Sequence, residues 1–451
     1  MQTKSPANDA ALALLYTLHC TEKMSRFQAI LEAVDCDEIV IGSGHSKLQF
    51  QDDMAYPFKA NPYFREWVPL GKRADCYLHI RPNADKPRLY LLAVEDIWHT
   101  APQTLPNGFQ DSLEIIEYTS IDQLKKQLVN HGSSIALINE TNELDVSADC
   151  WNPQPVLQQI DFQRRVKTAY EQACVRRANQ LAVPAHRAAE QAFMAGASEL
   201  EIAAVYLAAC NCSENDMPYA IIAGINQHAA VLHHHNLNAH RVTPRSFLID
   251  AGMQVNGYAA DITRTYAYDR GSEFAAMIER LDKAQRELVA AGAIGKSPLD
   301  LHVLSQHNIA QILIEFKLLK VSAEQAVEQC IINSFYPHGL GHHLGCNVHD
   351  KGSRLANAQG DLMPASEKYP KLRAGASMVA NQIYTVEPGL YFIPALLEKL
   401  RASDRAIAID WKEVDRWIPY GGIRIEDNII LHADGRLENI TREMFSQQFI
   451  H

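Results

Sequence analysis

Apolar and polar positions follow different rhythms along the chain. In the first third, short apolar runs bounded by polar residues read as strands: "EIVIGSG" (38–44), "CYLHI" (76–80), "RLYLLAV" (88–94) and "SIALINE" (134–140). Among them, "SIDQLKKQLVNHG" (120–132) has helical spacing and a glycine at its end. The opening "ANDAALALLYTLHC" runs on through "MSRFQAILEAV" as one amphipathic helix. Its apolar run is too short, its leader too weakly basic and Asp9 too close for an export signal. These elements predict an α/β domain over 1–158. "DCWNPQPVLQQIDF" (149–162), with two prolines and little periodicity, is the candidate linker.

From 159 to 451 the pattern predicts a second, larger domain. "QRRVKTAYEQACVRRANQLAVPAHRAAEQAFMAG" (163–196) reads as two helices, the second ending at Gly196, and "ASELEIAAVYLAAC" as another. β-signals then dominate, interrupted by one helical block across 273–330. "RSFLIDAGMQVNGYAADITRTY" (245–266) predicts a hairpin turning at Asn256-Gly257, with Asp250 ending one strand and Asp261 facing it from the return strand. "GAIGKS" (292–297) lacks the first P-loop glycine, since Ala290 stands there, and reads as a helix end. The turn-rich "NAQGDLMPASEKYPKLRAGAS" (357–377) predicts a surface excursion.

A net charge of −11 argues against a nucleic-acid partner, which needs a concentrated basic surface. No apolar run reaches the ~18 residues of a membrane span. The cysteines are odd in number and irregular in spacing, which predicts free thiols in a reducing compartment and hence a cytoplasmic protein.

The chemistry concentrates in "FYPHGLGHHLGCNVHD" (335–350), whose imidazoles suit metal binding, proton transfer or a polar interior equally well. Carboxylates elsewhere narrow the choice. Asp250, Asp261, Glu387 in "NQIYTVEPGLYF" and Glu426 in "GGIRIEDNIIL" all interrupt apolar strands. In the last of these the period of two puts Ile423 and Ile425 on one face, Arg424 and Glu426 on the other. An ionised acid in such a strand is costly unless paired or metal-bound. An Arg424–Glu426 ion pair would account for one strand but not for the recurrence. Four acids and one histidine make an oxygen-rich site that suits two divalent, manganese-like ions, the equipment of a hydrolase.

The ordered motifs "DAG-x8-D", "HGLGHHLG", "TVEPGLYF" and "GGIRIEDN" resemble the pita-bread metallopeptidases. Among these they most resemble the bacterial prolidases, close to the organophosphorus acid anhydrolase subgroup. "FQDDMAYPFKANPYFREWVP" is similar to the amino-terminal domain of the bacterial prolidases. The resemblance implies a smaller amino-terminal α/β domain before a pita-bread catalytic domain. It also implies Asp250, Asp261, His342, Glu387 and Glu426 as metal ligands, with Asp261 and Glu426 bridging two ions, most simply Mn²⁺. Glu387 would also be the general base, and His233, His338 and His349 would handle protons or support the site. Arg424 would orient Glu426, and His343 receives no role. The expected activity is hydrolysis of Xaa-Pro dipeptides by a hydroxide bridging the ions, with organophosphate esters as side substrates, in a homodimer.

Prolidases tend to carry two arginines three apart before the glutamate of "VEPG"; here Arg373 fills the first position but Ala376 the second. Arg373 becomes the candidate for the dipeptide carboxylate, and Tyr219 a candidate lining of the proline pocket. Aminopeptidase P, acting on longer peptides, is the rival within the fold. A catalytically inactive pita-bread binding module, or a metal-free creatine hydrolase, would have lost ligands that this sequence keeps.

Overall fold

The computed structural model of the chain describes residues 6–34, 36–93, 98, 100–128 and 134–447. It forms two compact units. One runs to Cys174 and includes 255–258 and 357–361; the other takes the remaining residues from Val175 onward.

In the first unit, strands β1 (Glu38–Gly42), β2 (Cys76–Ile80), β3 (Arg88–Leu92), β4 (Glu114–Tyr118) and β5 (Ile135–Ile138) form one sheet in the order β4-β3-β2-β1-β5. The β1–β5 and β3–β4 pairs are parallel and the others antiparallel. Alternate residues serve two cores. Ile39, Ile41, Leu78 and Ile80 pack with Phe27 and Ile30 of the helix Pro6–Ala33, while Val40, Tyr77 and Tyr90 face the other way with Leu124 and Leu128. Burial on both faces explains why the strands read as nearly unbroken apolar runs. β4 escaped the sequence reading because it is an edge strand whose two glutamates are exposed. The predicted helix at 120–132 covers Ile121–Leu128; Val94 of the third predicted strand and the terminal Gly132 of that helix lie outside the described residues.

The candidate linker contains a helix, Gln154–Arg164, and the expected boundary after 158 falls within it. Pro155 sits in the first turn, where a missing N–H costs nothing, and Val156 and Ile160 bury one face. The two helices expected over 163–196 are likewise one, Ala169–Met194, with Pro184 inside it. Ala182, Val183, Ala185 and Ala189 are buried on both sides of the proline, so packing carries the helix through it.

In the second unit β6 (Ile222–Ile225), β7 (Ser246–Asp250) and β10 (Thr263–Ala267) pair antiparallel in the order β10-β7-β6. The predicted hairpin carries its own inner pair, β8 (Gln254–Val255) and β9 (Tyr258–Ala259), around Asn256 and Gly257, both at positive φ as a two-residue hairpin turn requires. The residue opposite Asp250 is Thr263, and Asp261 lies just ahead of β10 rather than within it. The inner hairpin consumes the residues that a simple turn would have left for pairing.

β11 (Gln382–Val386), β12 (Gly389–Tyr391), β13 (Gly422–Arg424), β14 (Asp427–Leu431) and β15 (Leu437–Asn439) form the remaining sheets, with β11 on β14, β12 on β13 and β14 on β15. Main-chain hydrogen bonds tie these pieces into one ladder. Glu426 N–H donates to Thr263 O (3.0 Å), and the histidine-rich stretch runs beside β11 through Glu387 N–H to Leu340 O (2.8 Å) and Thr385 N–H to His342 O (2.9 Å). Helices Glu273–Ala290, Pro298–Glu315 and Ala323–Glu328 realise the predicted helical block and share a core with Ile423 and Ile425. Arg424 and Glu426 are thereby turned to the opposite face, as the alternation predicted.

Gly252 fits this ladder only without a side chain, since a Cβ there would stand 1.9 Å from Ala260 O. Gly252→Ala is expected to lower unfolding free energy by about 3 kcal/mol or more through forced backbone displacement. Denaturant titration checks it, and a change under 1 kcal/mol would mean the hairpin yields freely.

Candidate metal centre

The ladder delivers acids from separate segments to one place. Asp250 ends β7, Asp261 precedes β10, Glu387 follows β11, and Glu426 stands between β13 and β14. The register Val386↔Asp427 leaves Glu387 and Glu426 as the next facing positions. Candidate ligand atoms of Asp261, His342 and Glu426 all lie within 4.8 Å of one another, and all three residues are buried. Asn428 fixes the Asp261 main chain, accepting its N–H at 3.0 Å.

His342 tests whether this donor set suits a cation. Its Nδ1–H donates to the His343 carbonyl (3.0 Å), so the Nε2 lone pair faces Asp261 Oδ2 at 3.5 Å and Glu387 Oε1 at 3.6 Å. A lone pair among carboxylates is matched by a proton or a positive ion, and imidazole with carboxylates suits a divalent metal. A ring held by its other nitrogen to a backbone carbonyl is the usual arrangement of a metal-ligating histidine. The residues fit.

Electrostatics point the same way. Burial first, then repulsion from Asp261, Glu387 and Asp250, drives Glu426 well above the usual carboxyl range. Burial also raises Glu387 to about 7 and Asp250 to about 6, the latter against the opposing pull of Arg424. Asp261 goes the other way: burial raises it, but the hydrogen bond and charge of His342 outweigh that and hold it low. Without a cation the acids cannot all be ionised together.

Arg424 lies behind the acids. Its Nη2 donates to Asp250 Oδ2 (2.6 Å), Nη1 to Tyr391 Oη (2.9 Å) and Nε to Thr263 Oγ1 (3.1 Å). Its hydrogen-bonded path to Glu426 runs through Thr263, whose hydroxyl donates to Glu426 Oε2 (2.8 Å). Asp250 is the carboxylate it touches, in concert with Tyr219, whose hydroxyl donates to Asp250 Oδ1 (2.9 Å).

The remaining predicted residues surround this core. His338 Nε2 is 2.8 Å from Tyr391 Oη, and its Nδ1 is 2.9 Å from Gly339 O and 3.7 Å from Glu387 Oε2. The exposed His349 stands edge-on to His342, with ring centres 4.5 Å apart. His233 is exposed and stacks on His235. The positive charge of the exposed Arg373 bears on His233, His338 and His349 alike, which brings these four residues into one neighbourhood. The 357–377 segment is mostly exposed and irregular, yet it returns against the site, where Leu372 approaches Gly339.

Sequence reasoning missed Tyr391, Thr263 and Asn428, and gave His343 no role although its carbonyl fixes the His342 ring. Tyr391 lay inside the quoted "TVEPGLYF"; its signal was a hydroxyl on the acid-bearing strand. Thr263 could have been found as the residue two beyond Asp261, on the same face.

Among known proteins, the model of metallopeptidase family M24 matches residues 173–433, and that of the Xaa-Pro dipeptidase N-terminal domain matches 14–162. The Xaa-Pro dipeptidase of Pseudoalteromonas translucida is 42% identical over 436 residues, covering 96% of this chain and 99% of that protein. That of Shewanella loihica is 41% identical over 441 residues, covering 96% and 98%. Escherichia coli aminopeptidase P, as a variant in complex with substrate, superposes with a TM-score of 0.71 at 20% identity, covering 96% of this chain and 98% of its own. Its zinc-substituted form in complex with product gives 0.69 at 21% identity, covering 94% and 97%. The shared fold is the pita-bread fold preceded by an amino-terminal α/β domain.

Removing the guanidinium strands three partners at once. Arg424→Met is expected to cost about 3–5 kcal/mol in chelator-treated protein, because Asp250, Tyr391 and Thr263 lose the buried donor they share and Asp250 loses its counter-ion. Thermal unfolding measures this, and an unchanged melting temperature would mean that the carboxyls absorb the loss by protonation.

Proposed function

The chain belongs to the Xaa-Pro dipeptidases of metallopeptidase family M24, and from that premise we infer that it hydrolyses dipeptides with proline in the second position. The observation that carries the reading is the His342 imidazole, fixed by the His343 carbonyl with Nε2 toward Asp261 and Glu387, in a pocket of acids raised by burial.

Asp250, Asp261, His342, Glu387 and Glu426 would hold two divalent ions, and manganese suits this oxygen-rich set. Such ions, when bound, supply Lewis acidity that activates a water and polarises the scissile carbonyl. The chain's own groups do the rest. Glu387 takes a proton from the water and passes it to the leaving proline nitrogen. Arg424 and Tyr219 hold Asp250 from either oxygen, and Thr263 holds Glu426. His338, His349 and His233 line the approach, and Arg373 among them receives the terminal carboxylate of the dipeptide. Tyr219 also contributes a wall of the proline pocket. The near-full-length likeness to dipeptidases favours this reading over aminopeptidase P, whose likeness here is one of fold. The proposal extends to a cytoplasmic homodimer with an amino-terminal domain over 1–158 and a catalytic domain over 159–451.

Chelation should abolish turnover of Xaa-Pro dipeptides, Mn²⁺ should restore it, and metal analysis should find two ions per chain. Equal rates on dipeptides and on tripeptides of the Xaa-Pro-Yaa kind would replace the dipeptidase reading with aminopeptidase P. Full activity in metal-free protein would remove the metallopeptidase mechanism.

Arg373 offers a planar fork for a carboxylate, and Ala376 adds no second cation. Arg373→Ala should raise KM for Xaa-Pro by the equivalent of about 1.5–3 kcal/mol. It should also narrow the preference for the free acid over its amide. An undiminished preference, measured as the ratio of kcat/KM values, would assign the carboxylate to another cation.

A further inference from the structure

A second cluster of titratable side chains lies in the same unit, apart from the acids described above. Glu199 opens the helix Glu199–Cys210 and is only 2% exposed. Its Oε1 accepts from Ile225 N–H (2.8 Å) and His228 Nδ1–H (2.7 Å), and its Oε2 accepts from His234 Nε2–H (2.8 Å) and Asn238 N–H (2.8 Å). The two rings lie against each other with centres 4.4 Å apart. By distance alone this trio could hold an ion. The hydrogen bonding argues otherwise, because each carboxylate oxygen already accepts one main-chain and one imidazole donor. Burial raises Glu199, yet the donors outweigh it and leave its carboxyl below the ordinary value.

What these donors share is a segment. Beyond the short turn Asn226–Ala230, residues 231–245 have neither helix nor strand before β7 begins. Leu200 N–H adds a bond to Asn238 O (3.2 Å), fastening the segment to the same helix end. On its other side the segment meets Gly421, where a Cβ would stand 2.2 Å from Asn226 O. His233 is the immediate neighbour of the clamped His234, and the charges of Arg424 and Arg373 reach it. Glu199 thus ties His234 and Asn238 of this irregular stretch to Ile225 at the end of β6 and to His228 in the short turn, and His233 lies between these anchors in sequence.

We propose that Glu199 is a positioning residue for the reaction: its carboxylate fixes the loop 225–238 and so sets the place of His233 at the approach to the site. The inference rests on the Xaa-Pro dipeptidase reading for what His233 does, but not for what Glu199 holds. Removing the carboxylate frees the loop, and a displacement of about 1 Å in a substrate-positioning group costs up to about 100-fold in rate.

The test is a double-mutant cycle in the metal-loaded enzyme, with kcat/KM on a Xaa-Pro dipeptide as readout. Glu199→Gln and His233→Ala should each lower kcat/KM about 10-fold or more. Together they should do little worse than His233→Ala alone, because Glu199 acts through His233. Multiplying losses overturn the proposal, as does loss of bound metal in Glu199→Gln. His234→Ala, which removes one arm of the clamp, provides a second cycle if Glu199 variants do not fold. Hydrogen exchange separates this from the functional reading: amides of 225–238 should exchange faster in Glu199→Gln, with protection in β7 and β14 unchanged. If the wild type cleaves no Xaa-Pro dipeptide, that reading falls while the exchange data still decide the clamp, and unaltered loop protection overturns it.

Discussion

Mutual repulsion among buried carboxylates governs this molecule. Asp250, Asp261, Glu387 and Glu426 come from separate segments at strand ends and converge where water is scarce. Two unit charges about 4 Å apart repel by roughly 4 kcal/mol at the effective dielectric of a protein site. The surroundings answer that repulsion at each acid: a guanidinium and a phenol for Asp250, an imidazole for Asp261, a threonine hydroxyl for Glu426. None neutralises the whole cluster, so it remains a receptor for positive charge. The ladder holds the acids together against their repulsion, since Thr263, Glu426, Glu387 and the histidine-rich stretch are joined through main-chain bonds that substitution of side chains leaves intact.

Much of this was legible in the sequence because it depends on local periodicity. Strands β1, β2 and β3 follow from short apolar runs, and the turn of Arg424 and Glu426 away from the helical core follows from alternation. The acids stood out because carboxylates in apolar strands conflict with burial, and conflicts of that kind mark function. Where the reading failed, tertiary contacts had overridden local signals. The prolines of the candidate linker looked like a break, yet Pro155 occupies a first helical turn, and the stretch expected as two helices runs through Pro184 on buried neighbours. The pairing of Asp250 with Thr263 depends on an inner hairpin that no periodicity distinguishes from a longer loop. Tyr391 and Glu199 owe their importance to partners distant in sequence, and nothing in their own neighbourhoods announces those partners.

The bonds from Asp250 through Arg424 and Tyr391 to His338 have a direction. A guanidinium only donates, so the Tyr391 oxygen receives from Arg424 and turns its own hydrogen toward His338 Nε2. That nitrogen must then be bare, and the ring carries its single hydrogen on Nδ1, toward Gly339 O. A second hydrogen on Nε2 would meet the one Tyr391 presents, and turning the phenol aside would break the chain. The half-buried ring, with Arg424 nearby, has its pKa lowered to about 3, desolvation being the larger cause. His338 is thus a neutral imidazole of one fixed tautomer, with its Nδ1 edge toward Gly339 O and Glu387.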